Sequence, residues 1–370
     1  TVTAAGIGGS LTSSSDTGTF MVGTVGGDVN ANAGDFMIWA TLYGADFNAA
    51  GADVTSNPDG PTDANAVITG DLNVSGGEFT NISEAVIPFD RISNTTVPTV
   101  LAVNGSANFT GGETTLNSDV LVRGDVSQDA PASFDFNNLD GDDTTPPPAP
   151  YVRNQNKYVL TMKGNYNRTG GTIVYGDGEM LIIPESTVTF DGGPNFTIWD
   201  FSVRGLNSMV NFSEGSLDVV NDMLIGNNAS MFLDDLSIRL IGDNSRMTND
   251  GSYTASDNGK IIFAAASTDS EQVLAGNGLY GNIEIQLAED DDNVLVGQDP
   301  GIQVSFSGIL TFTAGGIDLN ENAFNYRTDN TDPDFPTIVR NLRDTTPANG
   351  DADGQYFTGT GTLNAFATSY

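Results

Sequence analysis

The sequence predicts an all-β fold, a right-handed parallel β-helix, and three observations carry that prediction. Helical periodicity is nearly absent: apolar residues alternate over short runs broken by Gly, Asn, Asp, Ser and Thr, as in half-buried strands. Five such runs end in glycine, at 101–105, 121–124, 160–164, 223–226 and 239–242, with looser copies at 202–205, 273–276 and 294–297. Gly105 to Gly124 spans 19 residues, Gly205 to Gly226 spans 21, Gly226 to Gly242 spans 16, and Gly276 to Gly297 spans 21. A short strand recurring at about 20 residues is the mark of a solenoid, in which each coil buries its apolar side on the next.

A longer repeat surrounds the glycine. Residues 67–81, 102–116 and 161–175 align without gaps, and 304–319 aligns with one inserted residue. The shared pattern is strand, Gly, strand, Gly-Gly, strand. The pairs at 76–77, 111–112, 170–171 and 315–316 are expected to supply positive-φ corners. The alternative reading of the same pattern is a β-sandwich with hairpins at the Gly-Gly pairs.

Taken in order, residues 1–65 read as an N-terminal β region or cap, with FMVGTVGGDV and FMIWATLYG in a rhythm of their own. Residues 66–323 carry the β-helix. Within it, 127–157 holds five prolines and a cluster of acids, and reads as a loop projecting from one coil. Residues 324–370 read as a C-terminal acidic loop and a terminal strand, the latter in QYFTGTGTLNAFATSY. The chain starts at Thr1 rather than at methionine, which predicts a processed, exported protein.

Composition limits the chemistry. Thirteen Lys and Arg against 48 Asp and Glu leave a net charge of −35, a field that repels nucleic acid and anionic membrane surfaces. No apolar run is long enough to span a membrane. Cysteine and histidine are both absent, which excludes disulfides, thiolate nucleophiles, histidine-based zinc sites and Ser-His-Asp or Cys-His catalysis. What remains for an enzyme is a pair of carboxylates working on sugar, and among 48 acids chance supplies such pairs. The expectation is therefore no enzyme and no catalytic residue.

Calcium is the candidate cofactor. Hard cations want several carboxylate and carbonyl oxygens from a tight turn. Asp135, Asn137, Asp140, Asp142 and Asp143 in one segment, with Asp351 and Asp353 in another, are the candidate ligands. Neither segment places a Glu at position 12 of the EF-hand pattern, and a solvated turn is the competing reading. Arg123-Gly124-Asp125 spells an integrin-binding tripeptide, but at a repeat strand end where Gly124 already has a structural task. Asn-x-Ser/Thr sequons occur at Asn73, Asn81, Asn94, Asn104, Asn108, Asn167, Asn195, Asn211 and Asn228. Asn73, Asn108 and Asn167 hold one position in three aligned repeats, which predicts stacked asparagines along the solenoid rather than glycans. Thr144 and Thr345 follow short Asp-Thr-Thr signals for O-glycosylation, and Trp39, Trp199, Tyr151 and Tyr158 are read as core or end-covering aromatics rather than a sugar platform.

The segment 271–324 resembles the secreted, cell-surface parallel β-helix proteins of Bacteroidota, adhesin-like solenoids, through Tyr280-Gly-Asn-Ile-Glu-Ile285 and Gly308-Ile-Leu-Thr-Phe-Thr-Ala-Gly-Gly-Ile-Asp-Leu319. The resemblance implies export to the cell surface and a role in adhesion or surface structure. Together these readings predict a non-enzymatic extracellular structural or adhesive protein. Its expected partners are further copies of itself, joined head to tail through terminal strands into a filament, or surface glycans. The rival expectations are a β-helix carbohydrate-active enzyme and a phage tailspike-like protein.

Overall fold

The computed structural model describes residues 2–14, 17–56, 66–82, 101–136, 158–205, 208–213, 215–256, 258–267, 270–288, 292–297, 302–327, 338–340, 357–358, 360 and 362–366. The fold is all-β, built of short strands stacked in parallel into a β-solenoid, with no helix among the described residues. Strands that a sandwich would pair antiparallel at the Gly-Gly hairpins instead run parallel, coil over coil. Two compact units are present: residues 1–185 with 189–194, and residues 186–188 with 195–370.

In the first unit each coil contributes three strand segments. One ladder runs through Thr24–Val25, Leu42–Tyr43, Ala66–Ile68, Leu101–Val103, Val120–Val122, Val159–Met162 and Glu179–Ile182. Its inward column is Val25, Tyr43, Ile68, Val103, Val122, Met162 and Ile182, all fully buried. That is why the strand before each glycine reads apolar at alternate positions: every second side chain must land on its counterpart one coil away.

The two other segments fold around the same core. Leu72–Ile82 and Ala107–Asn117 are single long strands, with register shifts around residues 74–78 where the Gly-Gly pair sits. Gly77 (φ 69°) and Gly112 (φ 73°) take the left-handed conformation there, so the corner is a bulge within one strand. Aromatic rings fill the interior in edge contacts, Tyr43 on Phe47 at 5.2 Å and Phe109 on Phe134 at 5.2 Å.

The stretch expected as an N-terminal region or cap carries the same ladders: Val29, Phe47 and Leu72 stand in register one coil above another. There the period is 18 residues, as from Asp28 to Asp46. Residues 127–136, expected as the start of a loop, are instead ladder strands, Val126–Gln128 and Ser133–Phe136. The proline and acid signals hid the alternation of Phe134 and Phe136, both buried. Residues 137–157 lie outside the described residues.

The second unit also has three strands per coil. Phe196, Leu217, Ile238, Ile261, Ile283 and Leu310 form one column, in register through six coils. All are buried, and Tyr253 packs edge-on against Tyr280 at 6.3 Å. Of the expected C-terminal segment, Ala323–Arg327 and Thr362–Phe366 pair in parallel, continuing one face.

Candidate functional site

The conspicuous polar residues of the first unit converge on one outer strip, made of two columns. The first column turns the corner after each glycine: Ser10, Asp28, Asp46, Asp71, Ser106, Asp125 and Asn165. Each side-chain oxygen accepts the backbone N–H of the corner residue one coil on. Asp46 N–H bonds to Asp28 at 3.3 Å, Asp71 N–H to Asp46 at 2.9 Å, and Ser106 N–H to Asp71 at 2.7 Å. The series continues from Asn165 N–H to Asp125 at 2.8 Å and from Thr189 N–H to Asn165 at 2.9 Å.

The corner glycines exist because neighbouring coils approach so closely there. A Cβ on Gly105 would lie 2.6 Å from the carbonyl oxygen of Gly70, and one on Gly124 would lie 2.7 Å from that of Gly105. Close approach, rather than a positive φ, is the reason for the strand-ending glycine at these two positions.

The second column stands two residues further along each strand. Asn48 Nδ2 donates to Asn30 Oδ1 at 3.0 Å, Asn73 to Asn48 at 2.8 Å, and Asn108 to Asn73 at 2.9 Å. Ser127 then donates to Asn108 at 3.0 Å. An amide stacked on its own kind in parallel register offers a donor on one side and an acceptor on the other, so the chain of bonds propagates. The expected asparagine stack is present at Asn73 and Asn108 and begins two coils earlier, at Asn30, while Asn167 stands in register beside Ser127 rather than an asparagine.

Electrostatics in the corner column can be weighed. Asp28, Asp46 and Asp71 occupy successive coils about 4.8 Å apart, where like charges in water repel by about 1 kcal/mol per pair. Each also accepts a backbone N–H, and a hydrogen bond to a charged group contributes about 1.5–3 kcal/mol. The bonds win, and Ser106 interrupts the run of charge.

Of the candidate calcium ligands, Asp135 is described: it sits on the outer side of Ser133–Phe136, between Thr115 and Val174 in register. Partial burial pushes its carboxyl above the usual aspartate range. Asn137, Asp140, Asp142, Asp143, Asp351 and Asp353 lie outside the described residues. Among the described residues, no three acidic side chains converge as a metal site. Asp125 of the Arg-Gly-Asp tripeptide belongs to the corner column, where Asn165 donates to it from both backbone and side chain. Asn81 is buried and donates to Ser118. Asn94, Tyr151, Thr144 and Thr345 lie outside the described residues, as does the side chain of Trp39.

Three arrangements had no forewarning in the sequence. Arg168 is buried at a corner of the first unit and donates to the carbonyls of Gly192 at 3.0 Å, Pro194 at 2.8 Å and Gly171 at 2.6 Å. In the second unit, an open depression of about 450 Å³ lies over three successive coils, with Met209, Ser230 and Ser252 among its lining residues. On another face of that unit, Lys260 pairs with Glu284 at 2.6 Å, which also accepts from Thr313 at 2.6 Å.

No protein-family model, curated protein or solved structure matches the chain.

Proposed function

We propose that this protein is a non-enzymatic extracellular structural or adhesive solenoid, whose copies join head to tail into a filament. One observation supports the reading above the rest: the acidic and amide side chains of the first unit's two columns are spent on bonding coil to coil. Four aspartates and four asparagines of the two columns have their partners in the neighbouring coil. Carboxylates committed to backbone N–H groups make a scaffold, since a general acid or base must be reachable by substrate. The lopsided charge suits an extended β surface that has to stay soluble beside its neighbours.

Growth by stacking follows from the same ladders. A coil offers its neighbour a strand edge, a corner acceptor and a column amide in fixed register, so a second copy can continue the pattern. Thr362–Phe366 adds its strand to the edge of Ala323–Arg327 within one chain, residue 364 standing in register with residue 325. Electron microscopy and sedimentation velocity of the purified chain test the reading. Filaments are expected, and deletion of residues 356–370 is expected to abolish them. A chain that stays a single particle at high concentration refutes the filament.

A further inference from the structure

The depression in the second unit has a lining that the stacking of coils does not explain. Its floor is one outward column, with Met209, Ser230 and Ser252 in parallel register. The hydroxyls of Ser230 and Ser252 stand 3.2 Å apart. Met209 is 40% exposed, one of four large apolar side chains so placed among the described residues. Its neighbours Val210 and Phe212 are buried, so the strand has no need of an apolar residue on its outer side.

The rim is polar and sharply shaped. The chain turns outward after Gly226, with Asn228 left-handed at φ 62°, which leaves Asn227 and Asn228 exposed above the floor. One coil on, Asp250 and Gly251 make the matching turn. Asp250 Oδ1 accepts the N–H of Asn277 at 3.1 Å, which fixes the carboxylate in place. A Cβ at Gly251 would meet the carbonyl oxygen of Gly226 at 2.6 Å, so this turn stays tight against the one before it.

An exposed thioether beside the three hydroxyls of Thr187, Ser230 and Ser252, two amides and one oriented carboxylate is chemistry suited to a pyranose. The C–H face of the ring covers the apolar side chain, while its hydroxyls exchange donors and acceptors with the rim. Asp250 is the one charged lining residue, and the chain carries −35 overall, so an anionic sugar is disfavoured. The geometry points to this depression as a binding subsite for a neutral glycan, taking one or two sugar residues across the coils. The inference deepens the adhesive half of the proposed function. Sugar binding by a chain that never polymerises overturns only the filament, and the converse result overturns only the subsite.

The test is calorimetric titration of the full chain with cellohexaose, laminarihexaose, maltohexaose and mannohexaose, each separately, with hexagalacturonate as the anionic comparison. At least one neutral hexaose is expected to bind, and the galacturonate at least tenfold more weakly. Met209→Ala and Asn227→Ala are expected to weaken binding at least tenfold with unchanged melting temperatures. Asp250→Asn keeps an acceptor and is expected to stay within threefold. Failure of all four neutral sugars overturns the proposal, as does binding that ignores Met209→Ala and Asn227→Ala alike. Loss of binding in Asp250→Asn at unchanged melting temperature also overturns it, because it marks a site for positive charge.

Discussion

The two units build the same three-strand coil with different means of joining one coil to the next. In the first, the corner is bonded by a continuous side-chain column, from Ser10 through the aspartates to Asn165, and a second column of amides runs beside it. In the second, corner bonds form shorter runs, as from Gln303 N–H to Asn277 at 3.5 Å and from Asn277 N–H to Asp250. Asp200 accepts the N–H of Asp222 at 2.9 Å, Asp250 that of Asn277 at 3.1 Å, and Asn282 that of Ile309 at 2.8 Å. Outer faces of the second unit carry ion pairs, Lys260 with Glu284 and Arg239 with Asp218, as Lys163 with Glu185 does in the first. Coil length varies in both units, from 18 to 40 residues along the first unit's column and from 21 to 27 along Phe196–Leu310 in the second, so the column holds register across insertions of very different size.

That contrast breaks most visibly at glycine. Gly124→Ala puts a Cβ 2.7 Å from both the carbonyl carbon and oxygen of Gly105, and backbone on either side has no slack. The expected cost is about 3 kcal/mol or more, read as loss of the first unit's cooperative unfolding step in urea. Gly226→Ala, the corresponding strand end in the second unit, meets the side chain of Arg204 at 3.3 Å and the nearest backbone atom, Val203 O, only at 3.6 Å. Its expected cost is below about 1 kcal/mol. Equal costs at the two sites would erase the distinction between these two corners; it is not one of unit against unit, since a Cβ on Gly242 would meet the carbonyl oxygen of Val220.

Arg168 comes next. Arg168→Met keeps the aliphatic stem and strips the carbonyls of Gly171, Gly192 and Pro194 of their donor. Loss of about 3 kcal/mol is expected, with faster amide exchange at residues 192–194. A silent substitution would mean that water serves those carbonyls as well.

The amide column sharpens the comparison. Asn73→Ala removes the donor to Asn48 and the acceptor for Asn108, and about 1–2 kcal/mol is expected to go with them. Ser230→Ala in the second unit breaks one hydroxyl pair with Ser252, and is expected to cost less than about 0.5 kcal/mol. Thermal melts of the two variants, followed by near-ultraviolet dichroism, separate these outcomes.

Much of this was legible beforehand, because strand alternation and corner glycine are local necessities of a coil. The Gly-Gly pairs announced their positive φ, and Asn73, Asn108 and Asn167 announced a shared position. The corner column was spelled out too, as Gly27-Asp28, Gly70-Asp71, Gly105-Ser106, Gly124-Asp125 and Gly164-Asn165, each followed two residues on by Asn or Ser. Its role is not legible locally, because the partners of these aspartates are backbone N–H groups of the coil one period away. The depression was not legible at all. Met209, Ser230 and Ser252 meet only through register, at separations of 21 and 22 residues that vary elsewhere along the chain.

The smallest effect concerns charge on an outer face of the second unit. Burial pushes the Asp218 carboxyl up, and Arg239 at 3.4 Å pulls it back only in part. A folded-state pKa above the unfolded one means that Asp218 stabilises the fold while protonated and gives that contribution up as pH rises through its folded pKa. Asp218→Asn removes the ionisation and keeps the shape, so the variant is expected to melt slightly above the parent at pH 7. The gain is capped at about 1 kcal/mol by the exposure of the pair and by loss of the Arg239 attraction. At pH 3, where the parent carboxyl is protonated, the two are expected to melt together. A variant that melts below the parent at pH 7 would show that the ion pair outweighs burial. The second unit would then draw real strength from outer-face charge, as the first does from its corner column.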